Sequence, residues 1–514
     1  MTSRELLSRR SFLNRAAGTT FGASVFNTLF DLRLINNAMA AVNVADYKAL
    51  VCVFMAGGND GANTLIPAPA DPRYANYKAV RGPRLALWED QAAATVGSAI
   101  PVNGANNPNI YYGIPLNTAS TPGAAYAVHD RMPAVQNLFN TGKLAFVANV
   151  GTLVEPITKA TYAAKTARRP PQLESHNDQV TQWQTGVPDA ISRTGWGGRT
   201  MDAMREELAR LGIPPGSISM SVSLGGNNTW EVGDTVNQFQ VSTSGAVSFS
   251  SFSGSRRTII DKVLRDAAYG GDSTLSAERQ NLHLRDFQKV NERSLFNSAS
   301  LAEALTRLTT GNPDATTGAA IDTAFGIGAG GVTYANMSDL ERQLHTVARI
   351  IAERSFLGMR RQIFFVQIGG FDTHGDQPVS HAGLVSTVSR AMGRFYDATV
   401  ALGIPDKVTQ FSASDFGRTY KSNGLGTDHA WGNHHMICGG AVNGGRLYGS
   451  LPEMVIGGAD DYSGNNGNGR WIPKLSTDEY GATLARWFGL GEAELDTVFP
   501  NLSRFANRNL GFLA

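Results

Sequence analysis

The chain predicts an α/β sandwich on a mostly parallel sheet, and three observations carry that expectation. Short runs rich in Val, Ile and Phe lack polar alternation, the pattern of strands covered on both faces. Two of them run straight into Gly-Gly-x-Asp: Val51–Ala56 into Gly57-Gly58-Asn59-Asp60, and Ile363–Ile368 into Gly369-Gly370-Phe371-Asp372. Segments of helical periodicity separate them, so strand and helix alternate.

The order along the chain is as follows. Ser8-Arg9-Arg10-Ser11-Phe12-Leu13, a weakly apolar stretch from Ala16 to Leu29, and Ala38-Met39-Ala40 resemble a twin-arginine export signal with its cleavage site. Residues 1–42 are therefore read as a leader and 43–514 as the folded domain, periplasmic or secreted. Residues 67–128 read as a loop-rich excursion. Met132–Gly142 reads as a helix, Leu144–Val150 as a strand and Met201–Leu211 as a helix. The Ser- and Thr-rich stretch 217–255 reads as an insertion of polar β-hairpins. Arg256–Leu308 returns to helical periodicity, and Gly311–Gly331 reads as a flexible loop. Met337–Leu357 is a helix with Leu340, Leu344, Val347 and Ile351 on one face. A helix over Ala382–Ala401, strands over Val408–Ala413 and Met436–Gly440, and a last helix over Asp478–Leu490 complete the domain.

Composition excludes some functions. Of 514 residues 42% are hydrophobic, which is ample for a large core. A formal net charge of +2 with no long basic cluster does not imply nucleic acid. No purely apolar stretch is long enough to span a membrane in the mature chain. The two cysteines, Cys52 and Cys438, fall inside expected buried strands and read as inert thiols.

Ligands of open α/β sheets bind outside the carboxyl ends of the strands. Asp60, Asp372 and Asp415 stand at three such ends, where their charges would repel one another without a cation between them. Asp372-Thr373-His374, Asp415-Phe416-Gly417-Arg418 and Asp428-His429 crowd the last third of the chain. Mixed carboxylate and imidazole donors suit zinc first, with manganese, iron or a carboxylate-bound calcium as alternatives. Each Asp has a plainer reading as a turn residue or helix cap. Ser175, in Glu174-Ser175-His176-Asn177-Asp178, is either an N-cap or a metal-activated nucleophile. His176 reads as a ligand or acid/base. Arg418 reads as an oxyanion-binding group or a salt bridge back to a carboxylate, and Asn63 as a substrate hydrogen bond or a turn residue. His434 and His435 start a strand and are left out of the ligand set. His129, His283 and His345 read as structural residues in helical contexts, and His381 as a supporting or solvent-facing residue.

Met55–Asn63, Ser175–Gln179, Phe371–His374, Ser414–Arg418, Gly426–His429 and the ending Val498-Phe499-Pro500-Asn501 together resemble the family called domain of unknown function 1501. That family is similar to the alkaline phosphatase and sulfatase superfamily. The likeness implies a three-layer α/β/α core with one or two divalent metal ions at the strand ends. It implies Asp60, Asp372, His374, Asp415 and His429 as ligands and Ser175 in the nucleophile position. The sequence departs from that pattern in three ways. One residue separates Asp372 from His374, Phe416 stands where a His follows the acidic ligand, and no Cys offers a sulfatase formylglycine. A second metal is then weak, absent or completed by His176.

Two functions follow. One is an exported metal-dependent hydrolase of small phosphate or sulfate esters, with metal held by Asp60, Asp372, His374, Asp415, Asp428 and His429. The other is a non-catalytic envelope protein that keeps the fold, with metal for stability and an envelope component as partner.

Overall fold

The computed structural model describes residues 42–93, 101–102, 105–106, 111–117, 126–245, 282–463 and 467–514. All but the last position of the expected leader, and the 246–255 end of the expected insertion, lie outside them. The main sheet has nine strands, in chain order β1 (Lys48–Met55), β2 (Leu144–Gly151), β3 (Ser221–Ser223), β4 (Gln238–Gln240), β5 (Arg361–Ile368), β6 (Val408–Ser414), β7 (Asn433–Gly439), β8 (Leu447–Tyr448) and β9 (Leu475–Ser476). Their spatial order is β8-β2-β7-β6-β1-β5-β3-β4, with β9 paired to β2. Within this sheet only β7 runs against its neighbours; the remaining pairs are parallel. The expected mostly parallel α/β sandwich is thus the observed one.

Five helices position the site: α1 (His176–Thr185), α2 (Trp196–Arg210), α3 (Asp339–Ala352), α4 (Gln377–Ala401) and α5 (Thr477–Phe488). Adjacent residues of β6 show the two covered faces. Gln410 donates to the Met392 carbonyl of α4, whereas the Phe411 ring packs against Trp183 of α1 and Trp196 of α2. Strands buried on both faces need continuous apolar runs, and Leu50 to Val53 are all but inaccessible. Ser338 with Glu341, and Ser476 with Glu479, form capping boxes that fix the starts of α3 and α5. Cys52 and Cys438 are buried free thiols, and burial pushes Cys438 up to about 12. No helix among the described residues is long and apolar enough to cross a membrane.

Three expectations are corrected. Within 217–245 the two strands do not pair as a hairpin: β3 and β4 extend the sheet edge in parallel, and antiparallel pairing is confined to the Ser242–Gly245 turn. The connection between them is pinned to α2, where Gly195 N donates to Val232 O and Gly198 N to Trp230 O. Antiparallel pairing occurs instead in the 67–128 excursion and its borders, where Leu65–Pro67, Gly113–Pro115 and Tyr126–His129 form a small sheet. His129 therefore closes a strand rather than sitting in a helix. Gly311–Gly331 contains the helix Ala315–Ala324, because its alanines favour helix and Gly318 lets it close on the Leu308 carbonyl.

Two carboxyls are sealed in this fold. Burial pushes both Glu231 and Asp478 up to about 8. Each keeps a proton near neutrality that the unfolded chain has lost, so its stabilising contribution is full below about pH 4 and is lost as pH rises toward 8. The slope from one group is at most about 1.4 kcal/mol per pH unit. Unfolding free energy measured by denaturant titration from about pH 5 to 8 should fall less steeply for Glu231→Gln than for the native chain; parallel profiles would refute the assignment.

Candidate metal centre

The carboxyl ends of β1, β5 and β6 meet at one rim. Gly57 follows β1 with a φ of +113°, and a Cβ there would lie 2.4 Å from the Asp372 amide nitrogen. Only glycine lets the two strand ends approach so closely. The Gly57 amide donates to Asp415 Oδ1 at 3.0 Å, and Phe371 N donates to Ala56 O at 3.1 Å. The loop from β6 to β7 folds back on itself, Thr419 N donating to Asp428 O at 2.8 Å and Ala430 N to Gly417 O at 3.0 Å. That pairing sets His429 beside Arg418. The N-terminus of α1 brings His176 from the other side.

Three side chains converge, and a fourth, His374, flanks two of them. His176, Asp372 and His429 each turn a ligand atom into a group whose members lie within 4.8 Å of one another. His429 Nε2 is 3.2 Å from His176 Nε2, 3.0 Å from His374 Nε2 and 3.2 Å from Asp372 Oδ1. His374 Nε2 is 3.1 Å from the same Asp372 oxygen. The far nitrogen of each ring has an acceptor: His176 Nδ1 donates to Asp415 Oδ2 at 2.7 Å, His374 Nδ1 to Asp428 Oδ1 at 3.1 Å and His429 Nδ1 to the Glu174 carbonyl at 2.9 Å. These acceptors place a proton on each Nδ1, so in the neutral ring the facing Nε2 carries a lone pair. Imidazole lone pairs beside a carboxylate are a donor set that could hold a divalent cation.

The electrostatics agree with that donor set. Burial raises the Asp372 carboxyl, but the Arg418 hydrogen bond and charge, with His429 and His374, hold it below the usual carboxylate range. Burial likewise works against Asp428, and Asn423 and His374 bring it below its ordinary value. Burial lowers His429. An ionised carboxylate and a neutral imidazole are the forms that bind metal.

The remaining candidates lie elsewhere or do other work. Asp60 is fully buried outside the group, its Oδ2 held by Arg81 and Gln377, so its charge is already met by a guanidinium. The structure does not bring it into the group with His176, Asp372 and His429, and its Oδ1 is buried with no partner among the described residues. Asp415 and Asp428 stand behind His176 and His374 and orient them rather than adding ligand atoms to the group. Arg418 is buried and spent: Nη1 bonds Asp372 Oδ1 at 2.7 Å and Gly57 O at 3.1 Å, Nε bonds Thr427 Oγ1 at 3.3 Å, and Nη2 bonds Thr427 O. The salt-bridge reading holds for it, and the side chain is sealed from solvent, so it does not face a substrate. Asn63 is buried, with Nδ2 on Leu85 O and Oδ1 receiving the Tyr77 hydroxyl, each at 2.7 Å, so it cannot contact substrate. Ser175 occupies the N-cap position of α1, yet its hydroxyl donates to Asp178 Oδ2 at 2.5 Å and caps no amide. His434 and His435 are buried away from the group, and burial lowers them to about 4 and about 3. His381 is buried rather than solvent-facing, against Asn59 Oδ1 at 3.0 Å. His345 packs in α3, and the side chain of His283 lies outside the described residues.

A cleft of about 830 Å³ opens beside the group, with His176, Asp372 and Asp415 at one end. It runs between α1 and the 227–238 connection at the sheet edge. Sequence reasoning missed Arg81, which lay in the segment read as loop but belongs to the helix Arg73–Leu85, and the Gln residues of this cleft. An Arg in an amphipathic helix and isolated Gln residues carry no pattern that singles them out.

Residues 251–462 match the family described as "Protein of unknown function (DUF1501)". It takes in Asp372, His374, Asp415, Arg418, Asp428 and His429; Asp60 and His176 lie ahead of it. No curated protein matches the chain. Among solved structures, those described as "Crystal structure of Ps i-CgsB" and the same protein "in complex with k-i-k-neocarrahexaose" are similar, each at 9% identity over 90% of this chain and 77% of the other, with a TM-score of 0.33. That score is too low to bear on function.

Asp60→Asn should leave Arg81 buried without a counter-charge and cost about 3–5 kcal/mol of stability. Bound metal, measured by elemental analysis, should stay at the native ratio. Loss of metal with stability kept would return Asp60 to the ligand set.

Proposed function

We propose that this chain is an exported metal-dependent hydrolase of phosphate or sulfate esters. The observation that carries the reading is the convergence of His176, His374 and His429 Nε2 with Asp372, each ring fixed by an acceptor at its far nitrogen. Three imidazoles and one carboxylate suit zinc first, with manganese second. A divalent cation held there supplies Lewis acidity at the end of the cleft.

The chain's own residues do the rest. Asp415 and Asp428 keep two rings in the ligating tautomer, and Arg418 keeps Asp372 ionised and aimed. The cleft admits the ester to the side of the centre marked by His176 and Asp372. Because Ser175 is turned to Asp178, water is the nucleophile. Water adds to phosphorus or sulfur, the ester oxygen leaves and takes a proton as the alcohol, and inorganic phosphate or sulfate is released. Export rests on the arginine pair and apolar stretch of the leader.

A second reading, a non-catalytic envelope protein that uses the cation for stability, draws on the engagement of Ser175 and Arg418, which leaves no arginine at the centre free for an anion.

Elemental analysis of protein purified without added metal should find about one ion per chain. His429→Ala and Asp372→Asn should abolish that ion, and Asp415→Asn should weaken its binding about 10–100-fold. Metal-loaded protein should cleave aryl phosphates or sulfates, and the same variants should lose that activity. Metal-replete protein inert on both ester classes, with variants altered only in melting temperature, would establish the second reading.

A further inference from the structure

The cleft beside the centre is lined in a way that an inorganic anion does not need. Among its described lining residues there is no Lys or Arg, while Asp372 and Asp415 put negative charge at one end. Side-chain amides are the commonest polar groups in the rest, and their neighbours fix which end of two of them faces the cavity. Gln184 Oε1 accepts the Thr229 amide at 2.8 Å, which leaves Nε2 without a partner among the described residues as a donor. Gln238 Nε2 donates to Gly226 O at 2.8 Å and to the buried Glu231 Oε2 at 3.1 Å, which leaves Oε1 as an acceptor. Gln367, at the end of β5, and Asn177, in the first turn of α1, have side-chain amides with no protein partner among the described residues. Burying such groups against an apolar ligand would leave them unsatisfied. A polyanion would find no Lys or Arg along the described lining away from the metal group.

A ligand with many hydroxyls satisfies this lining, because each hydroxyl both donates and accepts. We propose that the cleft takes a carbohydrate, held by Gln184, Gln238 and Gln367, with its esterified position directed at the His176, His374, His429 and Asp372 group. The ester itself rests on the hydrolase reading above; the sugar rests on the amide lining. At about 830 Å³ the cleft has room well beyond a phosphate or sulfate group and falls within the range of organic-ligand sites, about 300–1,000 Å³.

The test is calorimetric titration of the zinc-loaded full chain with a panel of neutral, sulfated and phosphorylated glucose-, galactose- and mannose-based oligosaccharides. At least one neutral member should bind saturably, and Gln184→Leu and Gln367→Leu should each weaken it tenfold or more. Gln367→Leu removes no hydrogen bond within the protein, so its effect reads binding rather than folding. Binding by no member of the panel, or binding unchanged in both variants, overturns the proposal. The ester forms of the panel and 4-nitrophenyl phosphate and sulfate are then assayed for release of inorganic ion. Oligosaccharide binding without cleavage of any ester sinks the hydrolase reading and leaves the carbohydrate site standing. Cleavage of 4-nitrophenyl esters with no oligosaccharide bound does the reverse.

Discussion

Three imidazoles whose lone pairs face one another are the constraint on which the rest of this molecule depends. Each is forced into that arrangement from behind: Asp415, Asp428 and the Glu174 carbonyl accept the Nδ1 protons, so in the neutral rings the facing nitrogens carry lone pairs. Left to themselves, such groups would turn away into water. They are kept in place because the backbone around them has little freedom. Gly57 is wedged against Asp372, and Gly426 lies so close to the Thr373 carbonyl that a Cβ would come within 2.2 Å. The rigid β1, β5 and β6 ends hold two of the loops, and the paired β6–β7 loop holds a third.

The centre also reaches deep into the core through charge. Asp372 bonds Arg418, Arg418 bonds Thr427, Thr427 Oγ1 donates to Gln377 Oε1 at 2.6 Å, and Gln377 donates to Asp60, which pairs with Arg81. Arg81 returns to the same loop by donating to the Thr419 and Tyr420 carbonyls. Two guanidiniums and two carboxylates thus alternate along one connected path. Each buried charge is paired, as burial demands, and the path fixes where the β6–β7 loop stands relative to β1 and β5.

That network explains what was legible beforehand. Apolar strands ending in Gly-Gly-x-Asp were readable because two-sided burial leaves a continuous pattern and because glycine at a strand end has few other uses. The same logic found Asp372, His374 and His429, which do meet. It did not set Asp60 apart, because a carboxylate that ligates a cation and one that pairs with an arginine have the same local sequence. The partner, Arg81, lies in a helix within a stretch whose Pro, Gly and Asn content reads as loop. His176 was readable as a candidate only through its neighbours, and nothing in its own segment says that Asp415 stands behind it. The parallel strands β3 and β4 were misjudged for a related reason. Three-residue strands of Ser, Val and Gln carry too little pattern to fix a direction, and tertiary pairing with β5 decides it.

The position of Asp60 has a consequence for how many ions the rim can hold. A second cation beside the first would need oxygen donors that are not already bound. Asp415 has one oxygen on the Gly57 amide and the other on His176, Asp428 shares Oδ1 between His374 and Asn423, and Asp60 Oδ2 is taken by Arg81 and Gln377, so that of the buried oxygens Asp60 Oδ1 is left with no partner among the described residues. Arg418 and Arg81 stand where a second positive charge would otherwise be placed, each against a carboxylate. Two guanidiniums therefore supply, permanently and by covalent attachment to the chain, the neutralisation that a second ion would bring. Arg418 and Arg81 thus build part of the charge balance of the rim into the fold itself.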